Sequence, residues 1–93
     1  MKRSLIRSNA FLRDAKRLAK SDARAIESLF STLAVLEQDA FDPGLKTHKL
    51  KGDLEGSWAC SFGYDLRIVF EFIQHEGKEA ILLESLGTHD QVY

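Results

Sequence analysis

The chain has 93 residues, 44% of them apolar and 29% charged, with a formal net charge of −1. That length suits one domain (1–93) of ordinary globular composition, large enough to bury a core unaided and too short for a second. One cysteine, Cys60, excludes an internal disulfide and a cysteine-built zinc site, and the N-terminal stretch reads as neither a signal peptide nor a membrane span, so a cytoplasmic protein is the expectation.

Ser4–Arg7 alternates like a short edge strand. Ser8 is placed to cap a helix over about Asn9–Lys20, with Phe11, Ala15 and Leu18 on one face. Ser21 or Asp22 caps a second helix to about Gln38, whose Ile26, Leu29, Phe30, Leu33 and Leu36 recur at helical spacing and read as core. The short link makes the pair an antiparallel hairpin. This first stretch is basic: residues 1–24 hold eight Lys/Arg against two Asp, a charge of +6, while the rest of the chain carries −7. Such an end suits phosphates or an acidic protein partner, or is a solvated helix face.

"DPG" at Asp42–Gly44 closes the helical half, and a polar loop containing Lys46, His48, Lys49 and Lys51 follows. Ser57–Phe62, Leu66–Ile73 and Ala80–Leu86 then read as three strands joined through "GYD" and "HEGK". Helices followed by a meander give an α+β fold, with the helices on one sheet face and the other face open. Strand alternation puts Leu66, Ile68, Phe70 and Phe72 toward the helices and Arg67, Val69 and Glu71 on the open side. For the strand holding Trp58 and Cys60, alternation does not say which set is inward.

Taken singly, His48, His75 and His89 read as surface residues, Asp65 as a turn former and Trp58 as core. Together, two imidazoles, a carboxylate, an arginine and an aromatic are what metal-free RNA cleavage requires. A base draws the proton from a ribose 2′-hydroxyl that attacks the adjacent phosphate. An acid protonates the leaving 5′-oxygen, and a cation offsets charge on the phosphorane. Histidine suits both proton roles, since its unperturbed pKa of ~6.5 lies near working pH. No ligand spacing suggests a metal and no Gly-rich loop a nucleotide cradle, so no cofactor is expected.

"HKLKGDLEGSWACSFGYDLRIVFEF" followed by "AILLESLGTHDQVY" resembles the RelE/ParE toxin superfamily of type II toxin–antitoxin systems, in its YafQ-like mRNA interferase branch. The specific part runs from His48 to Tyr93, and the "H.L" and "GTHD..Y" elements are the selective ones. The resemblance implies a microbial-RNase-like fold, mRNA cleavage, commonly at the ribosome, and silencing by a cognate antitoxin. By position it implies catalytic roles for His48, Asp65 and His89, with His48 and Asp65 both open as the base and His89 the general acid. It implies phosphate binding by Arg67 and a C-terminal aromatic in Tyr93 that stacks on or hydrogen-bonds the RNA; beside these, Lys49 and Lys51 are expected as weaker electrostatic contacts and Trp58 as a further substrate contact. Trp58 and Cys60 stand near where RelE relies on lysines, and Ser61 or Phe62 where YafQ-like proteins can carry a further histidine. The alternatives are a ParE-like toxin that binds DNA gyrase without cutting, and an inactive homologue that only binds antitoxin. An acidic antitoxin segment is expected to fold onto the basic hairpin.

Overall fold

The computed structural model describes residues 2–88. A first strand, β1 (Ser4–Arg7), leads into helices α1 (Asn9–Ser21) and α2 (Ala23–Gln38). A two-residue strand, β2 (His48–Lys49), precedes a meander of β3 (Trp58–Phe62), β4 (Leu66–His75) and β5 (Lys78–Thr88). The strands form one sheet in the order β1-β5-β4-β3-β2, with β1 parallel to β5 and every other pair antiparallel. The expected meander is therefore extended at both edges. The expected polar loop around His48 contains β2, which is too short to show an alternation of its own.

The helix boundaries follow from side-chain chemistry. The Phe11 N–H donates to Ser8 Oγ at 3.1 Å, and the same hydroxyl donates to the Glu84 carbonyl at 3.1 Å, tying the start of α1 to β5. Asp22 serves two helices at once. Its own N–H donates to the Leu18 carbonyl at 2.8 Å, and its Oδ1 accepts from the N–H groups of Arg24 and Ala25, both at 3.2 Å. Caps of this kind stabilise a helix by about 1 kcal/mol each. Beyond β1 the free edge of β5 meets α1, where the Leu86 N–H donates to Asp14 Oδ2 at 3.1 Å. An unpaired strand N–H finds its acceptor on a helix.

Both helices pack on one sheet face. Phe11, Leu29, Leu33 and Leu36 meet Cys60, Phe62, Ile68, Phe70, Ile81, Leu83 and Leu86 there. The inward set on β4 is the one alternation assigned, and Trp58 and Cys60 prove to be the inward set on β3. Phe30 is a correction: it was expected in the core stripe, yet it is 63% exposed. The buried stripe of α2 is Ala25, Leu29, Leu33 and Leu36, and Phe30 lies ~100° round the helix from Leu29. The β4–β5 register slips between Val69 and Phe70, which pair with Ser85 and Leu83, so Glu84 is an extra, bulged residue.

Candidate active site

Among the described residues no helix packs on the second sheet face, called open below, and its rows are read directly from the pairing register, because directly paired residues share a face. His48 pairs with Ala59, Ala59 with Val69, and Val69 with Ser85, giving one row across four strands. Ser61, Arg67 and Gly87 form the adjoining row. His48 and Arg67 thus stand on the same face, two strands and one row apart. Strand spacing of ~4.8 Å and a rise of ~3.4 Å per residue put their Cα atoms about 12 Å apart, which long side chains can bridge with a phosphate between them. Ala59 and Val69 are 0% and 2% exposed, the floor beneath the larger polar groups.

Each polar group is set by its local backbone. Lys46 ends the 3₁₀ turn Pro43–Leu45 in the left-handed region (φ 54°), which turns the chain into β2. Its carbonyl lies 3.0 Å from His48 Nδ1. If that nitrogen carries the proton, as donation to a carbonyl requires, the neutral ring keeps Nε2 as its basic nitrogen. Arg67 is half-buried on β4, and its Nη1 donates to the Leu66 carbonyl at 3.0 Å, which uses one of five guanidinium donors. Asp65 occupies the β3–β4 turn with φ 58° and is exposed, as a turn former would be. The turn lies beyond the Arg67 row, since Phe62 pairs with Leu66 and Leu66 with Thr88. Behind the face, burial pushes the Cys60 thiol up to about 12, partly offset by the Arg67 charge, so it stays protonated and is no nucleophile.

The remaining sequence candidates divide. Trp58 and Lys49 pair with each other and occupy the helix side of the sheet, with Lys49 Nζ 5.4 Å from the indole centroid. Trp58 also makes edge contacts with Phe41 and Phe72, at 5.5 and 5.3 Å between ring centroids. They therefore reach a ligand on the open face only around the β2 edge. Lys51 lies in the loop after β2, where a groove of about 800 Å³ is lined by Lys49, Lys51, Ser57 and Trp58. His89 and Tyr93 fall outside the described residues. Among the described residues no cluster of three or more His, Cys, Asp or Glu could hold a metal. No helix among them is long and apolar enough to cross a membrane.

Sequence reasoning passed over two groups. Glu84, carried onto the open face by the β5 bulge, accepts from Ser57 Oγ at 2.8 Å. The only hint was that the inward residues Ile81, Leu83 and Leu86 are spaced by two and then three. Tyr64, at the tip beside Asp65, is 95% exposed, and nothing but its place in a turn hinted at that.

Comparison with known proteins fits this architecture. No curated protein matches the chain by sequence. The fold is that of YafQ from E. coli strain BL21(DE3), at 18% identity and a TM-score of 0.78 over 99% of each chain. A YoeB/ParE toxin from Agrobacterium tumefaciens shares it at 20% identity and a TM-score of 0.76, over 92% of this chain and 98% of that one. YafQ in the E. coli DinJ–YafQ toxin–antitoxin complex shares it at 19% identity and a TM-score of 0.76, over 100% and 99%. The family model described as a bacterial toxin of a type II toxin–antitoxin system, YafQ, matches residues 3–93. The chain belongs to the YafQ family of type II toxin–antitoxin toxins.

Proposed function

We propose that this toxin is a metal-independent endoribonuclease that cuts mRNA by attack of a ribose 2′-hydroxyl on the neighbouring phosphate. The observation that carries the reading is the pairing of two groups on one uncovered sheet face. They are an imidazole whose Nδ1 faces a backbone carbonyl, and a half-buried arginine one row away. Arg67 binds the scissile phosphate and offsets charge on the phosphorane. The base is His48 or the Asp65 carboxylate, and His89, which follows Thr88 in sequence, is the general acid. Tyr93 contacts the RNA. Lys49, Lys51 and Trp58, at the groove beyond β2, take the flanking strand, through phosphates for the lysines and a base for the indole.

A cognate antitoxin is the partner, as in the E. coli DinJ–YafQ complex. The basic side chains Arg13, Lys16, Arg17 and Lys20 on α1 are all exposed, which suits an acidic antitoxin segment. The ribosome is the proposed setting for cleavage.

The test is cleavage of a single-stranded RNA by the purified chain, with and without ribosomes. EDTA should leave the rate unchanged, and a 2′-deoxy substitution at the cut site should abolish the cut. An absence of cleavage under both conditions, with the protein folded, would leave a toxin that acts by binding alone.

A further inference from the structure

Phe41 has no part in the site as described so far, yet the fold sets it against Trp58. It lies in the turn after α2, where its N–H donates to Asp39 Oδ1 at 3.1 Å. Its neighbour Ala40 is 0% exposed and anchors the turn in the core, while Phe41 itself is 52% exposed. A single exposed aromatic says little; the arrangement around it says more. Phe41 stacks on Phe72, with ring centroids 5.6 Å apart and planes at 20°. It stands nearly perpendicular to Trp58, at 5.5 Å and 81°. Phe72 thus covers one face of the phenyl ring, and Phe41 and Trp58 make a corner. A planar base fits such a corner by stacking on one ring and turning its edge to the other.

Cations border these rings. Lys49 Nζ lies 5.4 Å from the indole centroid, and Arg3 Cζ lies 5.1 Å from that of Phe72, with Arg3 Nη2 also 3.6 Å from Glu79. The two carboxylates of the turn are engaged by backbone N–H groups, Asp39 by Phe41 and Asp42 by Gly44. The groove beside Trp58 brings Lys51 and Lys49 against Glu55. Cations interleaved with aromatic rings suit single-stranded nucleic acid, whose phosphates take the first and bases the second. This surface is also continuous with the open face. His48 and Lys49 are consecutive on β2 and point to opposite sides of the sheet. The groove is lined by Ser57, which reaches Glu84 on the open side, and by Trp58 on the helix side. Strand spacing and rise put the Cα atoms of His48 and Trp58 about 6 Å apart. An RNA strand leaving His48 around the β2 edge therefore meets the corner without crossing the core.

We propose that Phe41 and Trp58 form a base-stacking subsite for RNA flanking the cut, so that the substrate runs from the open face around the β2 edge to the helix side. The proposal rests on the nuclease reading and adds to it a path and a length requirement. A short RNA confined to the open face gains nothing from the corner, whereas a longer one does.

Trp58 is the chain's one tryptophan, so its fluorescence reports on the corner directly. Single-stranded RNA methylated at every 2′-oxygen, which offers no hydroxyl for attack, should be titrated into wild type, Phe41→Ala and Phe41→Leu. An extended strand and a dinucleotide should be compared, with affinities from Trp58 fluorescence and from amide NMR shifts. The extended RNA should quench Trp58 and bind the wild type more tightly than the dinucleotide does. Phe41→Ala should weaken the extended RNA by roughly 5- to 150-fold, the range for loss of one base–aromatic stack, and the dinucleotide by much less. Phe41→Leu keeps apolar volume but no ring, and should show the same length-dependent loss; urea unfolding verifies that each variant is folded. Wild-type affinity for the extended RNA in both folded variants overturns the proposal, as does an equal loss at both lengths. If the variants bind RNA normally and lose affinity for the antitoxin, the corner belongs to that partner and the proposal falls. If the wild type cuts no unmodified RNA yet the length-dependent loss appears, the nuclease reading fails and the RNA path stands.

Discussion

The two faces of this sheet are built from the same strands and do opposite things with them. On β4, Ile68 and Phe70 are 0% exposed under the helices, while Arg67 and Glu71 alternate with them toward the uncovered side. The helix face is continuous and apolar, so each of its residues acts through volume and excluded water. The open face has a floor of small buried residues, Ala59 and Val69, beneath isolated polar groups, so each of those acts through charge and hydrogen bonding. Neighbours in sequence should therefore fail in different ways when replaced, and that difference is measurable.

The largest effect is expected on the open face. His48→Ala should lower RNA cleavage by roughly 10²–10⁴-fold if His48 transfers a proton, and by much less if Asp65 is the base. Its stability should stay within about 0.5 kcal/mol of wild type, as for surface substitutions generally. Urea unfolding and a single-turnover cleavage assay on the same preparation separate the two quantities. On the helix face the pattern should invert. Phe70→Ala opens a cavity under Phe72 and the helices, and should cost ~3–5 kcal/mol in urea unfolding, enough to abolish function by unfolding the toxin.

A third surface sharpens the contrast. Arg13, Lys16, Arg17 and Lys20 on α1 belong to neither face of the sheet, and only Arg17 among them forms an ion pair among the described residues, with Asp14 at 3.6 Å. Replacing all four with Ala should weaken antitoxin binding and flatten its salt dependence, with RNA cleavage nearly unchanged. If that variant binds antitoxin normally and loses cleavage, the hairpin is an RNA or ribosome contact, and the open face is only part of the substrate surface.

The division between faces was legible in the sequence wherever alternation ran unbroken. "LRIVFEF" gave the inward and outward sets of β4 because a fully apolar alternate set has only one stable side. On β3 it failed, since Ser57, Ala59 and Ser61 are as small and weakly polar as a floor residue needs to be, and no contrast remained to orient the strand. β2 was hidden by its two-residue length, although it is what sets His48 on the open face. Phe30 misled because apolar identity was given more weight than its angle from Leu29. Glu84 was invisible for a different reason: its position depends on a bulge, a tertiary pairing event that shifts the period after Leu83. The family resemblance reached His48, Asp65 and Arg67 through spacing, and the fold supplies the common face for His48 and Arg67.

The central claim is that the uncovered face does chemistry and the covered face does not. Arg67 and Ile68 are adjacent in one strand and point to opposite sides, so Arg67→Ala and Ile68→Ala compared in parallel test it most directly. Cleavage rate and unfolding free energy should be measured for both under identical conditions. The account predicts that Arg67→Ala unfolds like wild type and cleaves RNA far more slowly. Ile68→Ala should lose ~2–5 kcal/mol of stability while whatever fraction remains folded cleaves at the wild-type rate. Wild-type cleavage by folded Arg67→Ala would contradict the account, since the cation it places at the scissile phosphate would then be doing nothing.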